Sequence, residues 1–222
     1  MEKLVIAIDG PAGAGKSTVA KALAKKLDIP YFSTGAMYRA LAVKCLNLGL
    51  DATNESDANF IAQNTVVSMK YENGNQYVLL DGKDVTDKLY TDEISKGASQ
   101  ISVHKVIRQK MVEIQRQIAK TQSVVMDGRD IGSVVLPNAK FKFYLDADVE
   151  IRAKRRFEEL LKNGENVTFE EVLSDMKERD FRDKTREISP LIICKDATII
   201  NCSNLTIDEC VEEFLKHIYK IK

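Results

Sequence analysis

The chain has 222 residues, of which 44% are hydrophobic and 30% are charged. This composition is typical of one well-packed domain and excludes a disordered chain. Basic and acidic residues both number 33, so no overall positive charge recruits nucleic acid or an anionic membrane surface.

The cysteines and the chain ends point to an ordinary reduced protein. Cys45, Cys194, Cys202 and Cys210 lack the paired spacing of a zinc site, and the chain has only two histidines. The sequence has no signal-peptide pattern and no apolar run long enough to span a membrane. We therefore expect a cytoplasmic protein, and a monomer because no exposed apolar stripe stands out.

Short apolar runs alternate with amphipathic helical segments along the chain. The predicted strands are Leu4–Ile8, Tyr31–Phe32, Val124–Met126, Phe141–Leu145 and Thr198–Ile200. The predicted helices are Lys16–Leu27, Ala36–Leu48, Asp92–Ser102, Val106–Lys120, Val149–Lys162, Phe169–Asp180 and Ile207–Tyr219. This alternation predicts a three-layer α/β fold with a parallel five-stranded sheet. Ligands of such sheets bind beyond the carboxyl ends of the strands.

The first strand leads into a glycine-rich segment that matches the phosphate-binding loop pattern. We expect this segment to hold ATP through Gly10, Pro11, Ala12, Gly13, Ala14, Gly15, Lys16, Ser17 and Thr18. Lys16 adds a positive charge, and the hydroxyl of Ser17 is placed to ligate the Mg²⁺ of a nucleoside triphosphate. A turn that only packs is the alternative, but the flanking strand and helix favour nucleotide binding.

One segment interrupts the alternation. Val66–Tyr71 and Gln76–Leu80 are strand-like, an Asn-Gly pair separates them and an Asp-Gly pair follows. Such spacing is typical of antiparallel hairpins. We predict a small antiparallel β insertion at about residues 63–90 of a single domain that spans the whole chain.

Arginines follow several of the predicted strand ends. Arg39 and Arg129 lie there, and Arg179, Arg182 and Arg186 form a later cluster. In a chain without net charge, this placement suggests a second anionic ligand, because the guanidinium group binds phosphate in a bidentate manner. For Arg182 and Arg116 we favour a different interpretation, namely solvated helix arginines paired with neighbouring acids.

A cation-rich run, residues 152–156, begins a helix that ends in a polar tip at residues 163–166. This arrangement predicts a helical lid at about residues 152–170 that brings Arg155 and Arg156 over a phosphoryl group. A solvated helix face is the alternative interpretation.

Several longer motifs carry a resemblance to a known family. They are Ile8–Thr18, Thr34–Arg39, Ala98–Gln100, Asp127–Gly132, Glu178–Asp180 and Arg182-Asp183. With these motifs the chain resembles the bacterial cytidylate kinases of the nucleoside monophosphate kinase superfamily, over nearly its whole length. The β insertion also resembles the small extra subdomain of that family.

The resemblance implies transfer of the γ-phosphoryl group of ATP to CMP or dCMP, with Mg²⁺ and with small nucleotides as the only partners. It implies that Thr34, Arg39 and Arg129 hold the acceptor phosphate, and that Arg186 lies near the acceptor nucleotide. It also implies a base-reading set, Ser99, Arg108 and Asp130, and sugar contacts from Arg179 and Asp183. Cytosine presents an amino donor beside ring acceptors, and this set supplies the complementary groups.

Phosphoryl transfer requires positioning and charge neutralisation more than a strong base. We expect Lys16, Arg129, Arg155 and Arg156 to stabilise the migrating group. We also expect Asp127 to orient either the hydrated metal or the acceptor. One departure from the family is Ser33, because many members have an acid there; its role must be weaker, absent or taken over by Asp9 or Asp127.

Two other functions fit parts of the pattern. A kinase for another monophosphate such as UMP would share most of these residues. A regulatory nucleotide switch, or a binding module with the same loop, is more distant, because the sequence lacks an Asn-Lys-x-Asp segment for guanine and is rich in acceptor-side arginines.

Overall fold

A computed structural model describes residues 3–162 and 164–220. Five strands form the main sheet in the order β2-β6-β1-β7-β8, and every neighbouring pair is parallel. These strands are β1 Val5–Asp9, β2 Tyr31–Ser33, β6 Val124–Gly128, β7 Phe141–Asp146 and β8 Thr198–Asn201. The predicted parallel five-stranded sheet is therefore confirmed.

Eight α-helices surround the sheet within the described ranges. They are α1 Lys16–Leu27, α2 Thr34–Leu48, α3 Glu55–Asn64, α4 Asp92–Ile101, α5 Lys105–Thr121, α6 Val149–Lys162, α7 Phe169–Thr185 and α8 Ile207–Lys220. Seven of them coincide with predicted helices, and α3 was not predicted. A short π-helical turn, Ile131–Val135, follows β6. None of the helices in the described part of the chain is long and apolar enough to cross a bilayer.

The predicted insertion forms a separate three-stranded antiparallel sheet in the order β3-β4-β5. Its strands are β3 Val67–Glu72, β4 Asn75–Leu80 and β5 Lys83–Asp84. Asn73 and Gly74 form the tight turn of the hairpin with positive φ angles of 51° and 76°, as an Asn-Gly pair allows. The insertion packs with α2, α4 and α5 in one apolar cluster.

Strands β1, β2, β6 and β7 are buried on both faces, which explains their continuous apolar runs, whereas the edge strand β8 is partly exposed. On one face β1 and β7 pack with α1 and α8 around Phe214 and Leu23. On the other face β6 packs with α5 and the π-helical turn around Met126 and Ile131. The carboxyl ends of β1, β2 and β6 consequently meet at one edge, between the insertion and the helices α6 and α7.

Candidate active site

The phosphate loop connects β1 to α1 and depends on glycine at its first position. Gly10 has a φ of 151°, and a Cβ there would lie 2.0 Å from the carbonyl oxygen of Leu145. No other residue fits without displacing β7. Gly15, with φ 84°, precedes the first residue of α1, so the loop directs its amides and the positive end of the helix dipole into one cradle.

Lys16 is the buried cation of this cradle. It is only 5% exposed, and its Nζ donates to the carbonyl oxygen of Pro11 at 2.6 Å. Burial and the nearby positive charge of Arg129 hold the pKa of Lys16 well below its usual value. A bound phosphate group would place a negative charge beside this ammonium group and so favour its charged form.

Hydroxyl and carboxylate oxygens meet where α1 begins. The Oγ of Ser17 donates to Oδ2 of Asp127 at 2.9 Å, and the hydroxyl of Tyr31 donates to Oδ1 of the same carboxylate at 2.9 Å. Burial, followed by the charge of Asp127, raises the pKa of Tyr31 well above its usual value. The tyrosine therefore stays a hydrogen-bond donor, and it fixes the carboxylate beside Ser17.

These oxygens fit a magnesium ion that is held jointly with phosphate. Magnesium prefers oxygen ligands and keeps several water molecules, so it needs only one or two protein groups. Ser17 and Asp127 supply such groups. Within residues 3–162 and 164–220 there is no cluster of three or more His, Cys, Asp or Glu side chains that could hold a metal by itself.

Asp9 ends β1, but both of its oxygens are committed to the backbone. They accept from the amides of Ile131 and Gly132 at 2.8 Å each. Burial raises the pKa of Asp9 to about 6 despite these two bonds. Asp9 therefore shapes the turn that carries Arg129 and Asp130, and of the two candidates it is Asp127 that lies beside Ser17.

The turn after β6 brings acceptor-side residues together. Gly128 leaves room for two side chains there, because a Cβ would lie 2.6 Å from both Ile131 Cδ1 and Thr34 Oγ1 and would displace them. Thr34, the first residue of α2, donates to the carbonyl oxygen of Asp127 at 2.8 Å. The start of α2 is thus joined directly to the end of β6.

A cluster of partly buried arginines surrounds Asp183 of α7. Arg129 Nε lies 2.8 Å from Asp183 Oδ2, and Arg186 Nη1 lies 3.4 Å from Oδ1. Burial alone raises the pKa of Asp183, but the positive charges of Arg129, Arg179 and Arg186 lower it below its usual value. One carboxylate therefore compensates several cations.

The remaining cationic groups of this cluster are short of acceptors. Buried N–H atoms without a hydrogen-bond partner among the described residues include Arg39 Nε, Arg179 Nε and Arg186 Nη2. Burial, followed by the charge of Arg129, lowers the pKa of Arg179 to about 10. Unsatisfied buried donors are costly, and an anionic ligand such as a phosphate group would satisfy them.

Arg108 and Asp130 form a buried ion pair at the far end of the cluster. Arg108 Nη1 also donates to the carbonyl oxygen of Ser102 at 3.0 Å, and its guanidinium lies 5.5 Å from the centre of the Tyr38 ring. Because Arg108 engages Oδ2 of Asp130, Oδ1 is the oxygen that a ligand can use. The structure thus brings together two members of the predicted base-reading set.

Ser99, the third member, lies on α4 and contacts a residue that sequence reasoning did not assign to the site. Its Oγ accepts from Nη1 of Arg182 at 3.0 Å. Arg182 also pairs with Glu178, as a solvated helix arginine would. The expectation for Arg116 is wrong: its guanidinium donates to the backbone carbonyls of Val134 and Val135 and not to an acid.

Three arginines of α6 contact different parts of the protein. Arg152 is buried and donates to the carbonyl oxygen of Ala12 in the phosphate loop at 2.9 Å, a contact that the charge run alone did not reveal. Arg156 lies 3.3 Å from Asp92 of α4, whereas Arg155 donates to the carbonyl oxygen of Cys202 at 3.1 Å. Within the predicted lid tip, Asn163 lies outside the described residues.

A phosphate loop, a carboxylate hydrogen-bonded to its serine and a second, partly buried cationic cluster at one edge of a parallel sheet define a P-loop kinase. Solved structures share this fold: a gluconokinase from Sinorhizobium meliloti 1021 has a TM-score of 0.50 at 14% identity, covering 98% of this chain and 93% of its own. A shikimate kinase from Bacteroides thetaiotaomicron has a TM-score of 0.50 at 12% identity, covering 97% and 98%. At such identities the likeness concerns the fold alone.

Sequence comparison specifies the family. The family model described as cytidylate kinase matches residues 6–220. A cytidylate kinase from Caldicellulosiruptor saccharolyticus is 47% identical over 100% of this chain and 98% of its own length. One from Clostridioides difficile is 47% identical over 98% and 99%. The chain belongs to the cytidylate kinase family, so the predicted resemblance and the prediction of a phosphotransferase are confirmed.

Proposed function

We propose that this protein transfers the γ-phosphoryl group of ATP to CMP or dCMP, giving ADP and CDP or dCDP. The observation that carries this proposal is the partly buried arginine cluster around Asp183, which is close enough to the phosphate loop to act on the charge of Lys16 and which has buried donors without partners. A protein that only binds or hydrolyses ATP has no use for a second anion site of this kind. The family match supports the same activity.

In this proposal the phosphate loop and Lys16 hold the phosphates of ATP. Ser17, oriented by Asp127, supplies a magnesium ligand. When bound there, magnesium would supply positive charge that offsets part of the negative charge of the phosphates. Thr34, Arg39 and Arg129 hold the acceptor phosphate, so its oxygen is kept in line with the γ-phosphorus and no strong general base is needed.

The acceptor base is read by the ion pair of Arg108 and Asp130. The amino group of cytosine donates to the free carboxylate oxygen, while Arg108 offers donors to ring N3 and O2. Uracil presents a carbonyl where cytosine presents the amino group, so two acceptors would face each other in a buried pocket. We therefore propose discrimination against UMP, with Arg179 and Asp183 contacting the sugar.

The lid residues act on the migrating phosphoryl group. Arg156 suits this role, because the acidic partners that hold it, Asp92 and Glu159, are both partly exposed. Arg155 is bound to the loop between β8 and α8, so it would have to leave the carbonyl of Cys202 before it reached a phosphate. The lid range of about 152–170, a monomeric state and a cytoplasmic location stay predictions.

A panel of acceptors tests the proposal. ADP release is measured with Mg²⁺ and ATP in the presence of CMP, dCMP, UMP or AMP, and without acceptor. We expect turnover that depends on the cytidine nucleotides. Equal turnover with UMP would favour the alternative UMP kinase, and acceptor-independent turnover would favour the nucleotide switch.

A pair of variants of α1 shows whether that turnover uses the phosphate loop. Lys16→Ala should leave a folded protein whose turnover falls by at least about 100-fold, because a buried phosphate contact is lost. Lys21→Ala removes a charge from an exposed position of the same helix and should leave turnover unchanged. Near-normal turnover of Lys16→Ala would contradict the assignment.

A further inference from the structure

The contact between Arg182 and Ser99 joins α7 to α4 at the edge of the acceptor cleft. Arg182 Nη1 donates to Ser99 Oγ at 3.0 Å, while Nη2 pairs with Glu178 one turn earlier on α7. Ser99 is only 6% exposed. The guanidinium is therefore held at one end by an acid and directs its other end at a buried hydroxyl group.

This contact fixes the orientation of the hydroxyl group. A serine oxygen has two lone pairs and one proton, and the proton rotates to suit its surroundings. With one lone pair engaged by Arg182, the proton must point away from the guanidinium. In a helix, a free serine hydroxyl tends instead to donate to the carbonyl four residues earlier, which for Ser99 is that of Ser95.

Ser99 is also connected to the other two base-reading residues. Ser102 Oγ donates to the carbonyl oxygen of Ser99 at 2.9 Å, and Arg108 Nη1 donates to the carbonyl oxygen of Ser102 at 3.0 Å. Arg108 in turn pairs with Asp130. The side chain of Ser99 thus contacts Arg182, while its backbone carbonyl is linked through Ser102 to Arg108 and Asp130.

We propose that Arg182 is a positioning residue that contributes to selectivity for cytosine by orienting the hydroxyl group of Ser99. It acts through Ser99 and not by touching the base. This inference rests on the proposed function, because it takes Ser99 as a reader of the acceptor base. It predicts that replacing Arg182 and removing the hydroxyl group of Ser99 both lower the selectivity for cytosine.

A double-mutant cycle on the ratio of kcat/KM for CMP to kcat/KM for UMP tests this. Arg182→Met and Ser99→Ala should each lower the ratio by about tenfold, as expected for one charge-assisted hydrogen bond. The double variant should be no worse than Ser99→Ala, because residues that act through one contact are not additive. The KM for ATP should not change.

Two further variants of α7 serve as controls. Lys184→Met removes a positive charge from an exposed position of the same helix and should leave the ratio unchanged. Arg182→Lys keeps a donor but cannot engage Ser99 and Glu178 with one planar group, so it should recover part of the ratio. Thermal denaturation of each variant shows whether a lowered CMP to UMP ratio results from a loss of folded protein.

The outcomes separate this inference from the proposed function. An unchanged ratio in Arg182→Met together with a lowered ratio in Ser99→Ala would overturn the role of Arg182 alone. Additive losses in the double variant would also overturn it. An unchanged ratio in Ser99→Ala would overturn both the base-reading role of Ser99 and this inference, while kinase activity on CMP itself is judged by the acceptor panel.

Discussion

Replacing Asp130 tests the base pocket and its stability at once. The side chains of Arg108 and Asp130 are 3% and 5% exposed. Asp130→Ala would leave the guanidinium buried without its counter-ion, which costs about 3–5 kcal/mol. That is a large share of the roughly 5–15 kcal/mol by which a domain is stable. We expect a marked fall in the denaturation midpoint, and substitution of both partners by apolar residues should restore much of it.

Asp130→Asn is the variant in which selectivity can be measured. Its amide oxygen still accepts from Arg108, so the protein should fold, but an amide N–H₂ replaces the free carboxylate oxygen. The amino group of cytosine, a donor, would then face another donor. The O4 atom of uracil, an acceptor, would face a donor with which it can form a hydrogen bond. Losing a hydrogen bond to a charged group costs about 1.5–3 kcal/mol, which lowers the CMP to UMP ratio by about 10- to 150-fold.

The assay is ADP release at saturating ATP and Mg²⁺, from which kcat/KM is obtained for CMP and for UMP. Asp175→Asn is a matched control, because Asp175 lies on α7 in an exposed pair with Lys96. The ratio should not change in that control. A folded Asp130→Asn protein with the original ratio would refute the base-reading assignment, and an Asp130→Ala protein of unchanged stability would refute the energetic argument.

Three other residues give independent predictions. Arg129→Ala should raise the KM for CMP by about 10- to 100-fold and that for ATP little, since a charged phosphate contact is lost on the acceptor side only; equal effects in steady-state kinetics would move Arg129 out of that site. Tyr31→Phe should weaken the Mg²⁺-dependent part of ATP binding by about tenfold, measured by calorimetry, because Asp127 loses its orienting donor; unchanged Mg²⁺ dependence would contradict this. Burial raises the pKa of Asp9 from 3.8 to about 6, so the folded state binds more protons than the unfolded state between these two pH values. The stability of the wild-type protein relative to Asp9→Asn should therefore fall by about 3 kcal/mol as the pH rises through that window. Denaturant unfolding at pH 4 and pH 7 measures this difference, and a difference that rises with pH would contradict the sign.

The sheet was predictable because four of its five strands are buried on both faces and therefore read as plain apolar runs. In the structure, the predicted strand Val124–Met126 is two residues longer and ends at Gly128. Helix α3 was missed because two of its three buried residues are alanines, Ala58 and Ala62, which give a weak apolar pattern. The available signal was its N-cap, since Asn54 accepts from the amide of Asp57.

The π-helical turn after β6 could not be predicted from its local sequence. Its first amides are bound by Asp9 from β1, and its last carbonyls are bound by Arg116 from α5. Both partners are distant in sequence, so no local pattern predicts the turn. Motif resemblance located Arg129 and Asp130 correctly at a strand end, but only the fold shows that Asp9 and Arg116 hold that turn in place.

Ser33 shows how the departure from the family pattern is accommodated. A hydroxyl group carries no charge at neutral pH, so the carboxylate beside Ser17 is that of Asp127, and Tyr31 secures its orientation. The backbone amide of Ser33 donates to Oε1 of Gln76 at 2.6 Å, which ties the β insertion to the turn between β2 and α2. That turn leads into α2, whose residues Thr34 and Arg39 we propose to hold the acceptor phosphate, while the carboxylate of Asp127 lies beside Ser17 of the phosphate loop. We therefore predict that the insertion affects acceptor binding, and that Mg²⁺ binding depends on the carboxylate of Asp127, which Tyr31 orients.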